Sequence, residues 1–222
     1  EPEVGPAARA AIVALEQASG RQVVWATGQY LSLVEQPVTL DLEVVLPAVG
    51  RGTTQGRAIG HLGDTEVITV FGAMGDRPEP ARGRWVTCPD APPPEDCPEI
   101  RRHPGKDTMH ANLELRLARG MFGFSGMGEA TEDGRSLLWA RARWGPNDAG
   151  ALAIIADYMP SSLGNALGRP AGCTSLDNTI RFADRVGREN VIASTDCGFS
   201  SQAIYKTEVE NRVVWAKLKA LA

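Results

Sequence analysis

Apolar and polar positions change period several times along the chain. From Pro6 to Ala18 the run PAARAAIVALEQA puts Ile12, Leu15 and the alanines on one stripe of a helix, with proline in the first turn and Gly20 as a stop. Gln22 to Leu33 is rich in β-branched and aromatic residues, and Val38 to Leu46 alternates Val38, Leu40, Leu42, Val44 and Leu46 against Thr39, Asp41 and Glu43, so both segments are expected as strands. Thr53 to His61 and Glu66 to Phe71 add two more, with Gly63-Asp64 supplying a tight hairpin turn between them. One helix followed by four strands predicts an antiparallel sheet whose single apolar face the helix covers.

Proline and glycine density over residues 74–108 excludes a long helix or central strand and predicts a linker wrapped over a surface. Alternation resumes from Met109 to Arg119 through Leu113, Leu115 and Leu117, and Arg135 to Trp144 follows the Asp133-Gly134 turn as a second strand. Asp148 is placed to cap a helix reading AGALAIIADYM, which is apolar nearly all round and therefore expected to be buried. The strand Cys173 to Phe182 comes next, repeating the helix-then-strand opening of the first half. The repeat then fails. After Phe182 only Val191 to Thr195 suggests a strand, and Thr207 with Glu210 forms a capping box for a helix through Val213, Val214, Leu218 and Leu221. The chain thus divides into 1–73, a linker 74–108, 109–182, and an atypical tail 183–222. The second sheet is expected to be incomplete, with an edge left exposed or covered by a partner, which favours a homo-oligomer.

Composition narrows the function. At 222 residues and 43% hydrophobic content the chain suits one two-lobed globular unit, α+β in class. Its 27 acidic and 23 basic side chains, net −4, are scattered and form no basic stripe, so nucleic acid is not an expected partner. No stretch approaches the roughly 20 apolar residues of a membrane span, and the N-terminal residues lack a signal-peptide layout, so a cytoplasmic location is expected. Cys88, Cys97, Cys173 and Cys197 are irregularly spaced, which argues for reduced thiols over disulfides or structural zinc. His61, His103 and His110 lack a second ligand at helical spacing, so no metal is expected. Phosphate-loop, dinucleotide, zincin and nucleophile-elbow motifs are missing, and no cofactor is expected.

One carboxylate stands out. Asp157 follows the apolar run ALAIIA and would be carried to the edge of the core at the helix end, where desolvation raises a carboxyl toward the range of a general base. A helix-end Asp bonding the next turn is the alternative. Ser175, with Thr174 beside it, precedes an alternating strand and is placed to hold a water or a carbonyl oxygen from the same cleft. Further along, alternation puts Ser175 and Asp177 on one face and Asn178 on the other.

Several segments carry a resemblance: GRQVVWATGQYLSL, GRGTTQGRAIGHLGDTEVITVFGAMGDRP, PPPEDCP, GRSLLWARAR, ALAIIADYMP and TSLDNTIRF. Over residues 5–182 they are similar to the actinobacterial type of acyl-CoA thioesterase II. The resemblance implies two fused hotdog domains, each a long helix wrapped by an antiparallel sheet, the second incomplete here. It also implies hydrolysis of fatty acyl-CoA by an activated water, with an apolar acyl tunnel between helix and sheet. The family's catalytic set is Asp, Thr or Ser, and Gln. Its Asp corresponds to Asp157 in IIADYMP and its hydroxyl to Ser175 in TSLDNT, with Thr174 adjacent. The Gln has no counterpart, because Gln202 stands in a different context. A non-catalytic hotdog that binds acyl-CoA or only oligomerises is the alternative this departure leaves. The tail, FADRVGRENVIASTDCGF and then VVWAKLKALA, resembles the C-terminal end of cobalamin-independent methionine synthase-like proteins, where the cysteine matching Cys197 is a zinc ligand. A methyltransferase fragment is a remote third reading.

Overall fold

The computed structural model describes residues 5–32, 38–75, 89–100, 109–171 and 175–182. Helix α1, Gly5–Ser19, buries Ala8, Ala11, Ile12 and Leu15, which is the stripe its sequence predicts. The turn that leaves it is fixed by Glu16, whose Oε1 accepts from the Val23 backbone N–H at 2.8 Å. Four strands follow: β1 Val23–Tyr30, β2 Asp41–Val49, β3 Thr53–Leu62 and β4 Thr65–Gly75. β3 and β4 are joined by Gly63-Asp64, with Gly63 at φ 59°, a left-handed position that glycine adopts without a Cβ penalty. Ile68, Val70 and Met74 of β4 and Ala58 of β3 meet α1 in one core. A register shift between Gly60 and His61 leaves Val67 and Ile68 both buried, although strict alternation would turn one of them to solvent.

The second half begins earlier than expected. Within the segment read as linker, Ile100 donates its N–H to Leu115 O at 2.8 Å and Leu117 donates to Pro98 O at 3.0 Å. Residues 98–100 therefore cover one edge of β5, Leu113–Arg119, and Ile100 enters the second core. A carbonyl at Pro98 suffices for this pairing, so the proline that argues against a strand by sequence does not prevent it. Two two-residue strands come next, β6 Met121–Phe122 and β7 Met127–Gly128, and then β8, Leu137–Ala142, which pairs antiparallel with β5.

Helix α2, Ala149–Ala156, is capped as its sequence predicts, Asp148 Oδ1 accepting from the Ala151 N–H at 2.7 Å. Its apolar circumference has a clear use. Ala149, Ala153 and Ala156 join the first core beside α1, whereas Ala151 and Ile154 join the second beside Leu115 and Phe122. α2 is therefore wedged between two cores and has no wet face. After α3, Ser162–Leu167, strand β9, Asp177–Arg181, does not pair with β5 or β8. It pairs antiparallel with β1, completing a five-stranded sheet in the order β2-β3-β4-β1-β9. Thr27 and Thr179 face each other with their hydroxyls 2.7 Å apart, and Ile180 and Phe182 drop into the first core. Each half thus offers the strand after its helix to the same seam. The strand and the helix expected within 183–222 lie outside the described residues.

Asn165 of α3 locks the small hairpin in place. It is 1% exposed, its Oδ1 accepts from the Met121 and Thr131 backbone N–H groups at 2.9 and 3.2 Å, and its Nδ2 donates to Thr131 Oγ1 at 3.0 Å. Asn165→Ala would leave buried donors unpaired. The expected loss is about 2–4 kcal/mol of unfolding free energy in urea titration, from roughly 1–3 kcal/mol for each orphaned group; an unchanged midpoint would show the network to be dispensable.

Candidate active site

Asp157 is the C-cap of α2, its N–H bonded to Ile154 O at 3.2 Å. The next residue, Tyr158, is buried against Phe122, ring to ring at 6.3 Å, which fixes the chain where the helix ends. The Asp157 carboxylate does not fold back on the following turn. Its Oδ1 instead accepts a hydrogen bond from Ser175 Oγ at 2.9 Å, across 18 residues of chain. The two residues come together because α2 is wedged between the cores and β9 is drawn to β1, which brings the segment ahead of β9 over the end of α2. Both side chains are half-buried, which leaves the pair reachable from outside.

Electrostatics separates this carboxylate from the others described. Burial pushes Asp157 up to about 6, against the single opposing effect of the Ser175 hydroxyl, which lowers it. No cation holds it ionised by a direct contact among the described residues. Glu114 on β5 is the contrast. It is also buried, yet Arg116 and Arg141 clasp it at 2.7 and 2.6 Å and hold its carboxyl below the usual range. A carboxylate committed to two guanidiniums is a poor base. The cleft of about 540 Å³ beside Glu114, Arg141 and Arg143 is an ion-pair surface on the outer side of β5 and β8.

Of the residues singled out by sequence, the structure brings Asp157 and Ser175 into contact, while Thr174 lies outside the described residues. Asn178 is on the buried face of β9 and Asp177 on the opposite one, as alternation predicts. Cys97 is a buried free thiol; Cys88, Cys173 and Cys197 lie outside the described residues, as do His103 and Gln202. His61 sits 3.9 Å from Glu43 at the sheet's edge. Among the described residues no cluster of three or more His, Cys, Asp or Glu is disposed to hold a metal, and no helix is long and apolar enough to cross a membrane. The Glu114 clasp and the Asn165 network went unread in the sequence, since a lone Glu in an alternating strand and a lone Asn in a short helix carry no periodic signal.

Two helices against antiparallel sheets, joined through the strands that follow them, with a carboxylate and a hydroxyl paired at one helix end, define a double hotdog of the thioesterase type. The comparisons with known proteins agree. Residues 94–210 match the family model for the acyl-CoA thioesterase C-terminal domain. A solved structure from Novosphingobium aromaticivorans, assigned as a thioesterase, is 30% identical with a TM-score of 0.67, aligning 81% of this chain with 68% of that one. A hot dog fold protein of Alicyclobacillus acidocaldarius is 22% identical with a TM-score of 0.61 over 78% of this chain and 65% of its own. The tesB protein of Mycobacterium avium subspecies paratuberculosis is 19% identical with a TM-score of 0.59 over 80% and 66%. No curated protein matches. The chain belongs to the acyl-CoA thioesterase family, with an α+β double-hotdog fold, and it spans about two thirds of the length of the solved structures it matches. The family match runs on through residue 210, well into the tail, and none of the comparisons supports the second resemblance, to methionine synthase-like proteins.

Proposed function

We propose that the protein hydrolyses acyl-CoA thioesters to a free fatty acid and coenzyme A, with Asp157 as general base and Ser175 as the group that orients the attacking water. The observation that carries this is the 2.9 Å Ser175–Asp157 hydrogen bond to a carboxylate that burial raises to about 6. At that value Asp157 is mostly ionised near neutrality yet basic enough to take a proton as a water attacks. In the expected step, Asp157 accepts a proton from water as its oxygen bonds to the thioester carbonyl carbon. The tetrahedral adduct then expels the coenzyme A sulfur, and the proton held on Asp157 returns to that thiolate. A thiolate leaves readily, so no covalent enzyme intermediate is required.

Residues 1–73 and 109–182 are proposed as the two hotdog units, with the acyl chain between helix and sheet. The protein is proposed to act in the cytoplasm, in fatty acid metabolism, as a homo-oligomer. The test is coenzyme A release from a panel of short to long acyl-CoA, followed with a thiol-reactive dye across pH. Because the active form of Asp157 is the deprotonated one, kcat should fall about tenfold per pH unit below about 6 and be level above it. Release that is equally fast at pH 5 and pH 7 would remove Asp157 as the base.

A further inference from the structure

Asn178 is the polar side chain of the core that the mechanism leaves unused. It is 7% exposed on β9, and its Oδ1 is buried with no hydrogen-bond partner, an arrangement that folded interiors avoid. It lines a cavity of about 10 Å³ between α1, α2 and the five-stranded sheet, walled otherwise by groups such as Ile12, Gly28, Val70, Ala153 and Ile180. That is room for one water-sized group, in a wall almost wholly apolar. A lodged water needs several polar partners and would find few here. The chemistry of the wall suits an alkyl chain that carries one hydrogen-bond donor where it meets Oδ1.

The cavity adjoins the Asp157–Ser175 pair along two elements. Ala153 and Asp157 are four residues apart, hence on one face of α2 and about 6 Å apart along its axis. Asn178 lies three residues beyond Ser175 in extended chain, about 10 Å further from the hydroxyl. Gly28 is directly opposite Asn178 in the β1–β9 register, and its missing side chain helps keep the space open. A Cβ there would meet only Val70 Cγ2, at 3.5 Å.

We infer that Asn178 is a specificity-determining residue at the far end of the acyl site, selecting acyl groups with a hydroxyl distal to the thioester over plain alkyl groups of equal length. The inference rests on the hydrolase reading above. A plain chain reaching Asn178 leaves the carbonyl oxygen unpaired, whereas a distal hydroxyl pairs it. A hydroxyl next to the thioester stops short of it.

The experiment compares coenzyme A release from octanoyl-CoA, 3-hydroxyoctanoyl-CoA and terminally hydroxylated octanoyl-CoA. The terminally hydroxylated substrate should exceed octanoyl-CoA by about tenfold in kcat/KM, the size of one buried hydrogen bond, and the 3-hydroxy substrate should show no such gain. Asn178→Leu, close in volume, should bring the ratio to one or below. Gly28→Ala guards against misfolding of that variant. It fills the cavity at ordinary contact distance, so it should melt no lower than the wild type and still lose the preference. Wild-type preference for plain octanoyl-CoA, or an unchanged ratio in both variants, would overturn the inference alone. No release of coenzyme A from any substrate would overturn the hydrolase reading and the inference together.

Discussion

Asp157→Asn is expected to lose hydrolysis by about 10²–10⁴-fold, the usual contribution of a positioned general base, while its melting temperature at pH 8 rises by a few degrees. The two effects share one cause. Asn keeps the shape and can still accept the Ser175 hydrogen bond, but it cannot take a proton from water. It also removes a charge that burial disfavours. The folded state raises the Asp157 carboxyl from 3.8 to about 6, so it binds the proton more tightly than the unfolded chain does. Stability contributed by this group is present at low pH, falls between those two values, and is gone above about 6. The variant should therefore gain most at neutral and higher pH and nothing at pH 3. Activity and stability moving in opposite directions is the mark of a site kept for chemistry. A variant that loses activity and also melts lower would point to a packing role, and calorimetry at the two pH values distinguishes these outcomes.

Ser175→Ala carries the second large effect. Its hydroxyl donates to Asp157 Oδ1 at 2.9 Å and is the one group holding that carboxyl down against burial. Removing a hydrogen bond to a charged group is expected to lower kcat by about 10–100-fold. The acid limb of the pH–rate profile should also move to higher pH, because desolvation then acts on Asp157 unopposed. Ser175→Thr retains the hydroxyl and should recover most of the rate and return the limb toward its wild-type position. A purely structural serine would give the rate loss without the shift, so the profile is the informative readout.

Much of this was legible in the sequence, in proportion to how local each interaction is. The α1 stripe, the β2–β4 alternation, the Gly63-Asp64 turn and the Asp148 cap all depend on neighbours within a few residues, and all are where the pattern puts them. The all-round apolarity of α2 correctly announced a buried helix, but not that two separate cores would share it. The partner of β9 was not legible, since its alternation says which face is buried and nothing about which edge it joins. Residues 98–100 were hidden by the prolines around them, which weigh against a strand even though the one pairing carbonyl at Pro98 is intact. Strands as short as β6 and β7 have no period to detect. Asp157 could be suspected from the apolar run before it. Ser175 came from the family resemblance, and the hydrogen bond between them exists only because distant elements converge.

The most direct test of the central claim is intact-protein mass spectrometry of the wild-type chain quenched during turnover of octanoyl-CoA, with coenzyme A and octanoic acid quantified in the same samples. Water activated by Asp157 gives equal amounts of coenzyme A and acid with no mass added to the protein at any time. An octanoyl adduct on Ser175 during turnover, or no coenzyme A released at all, would contradict it.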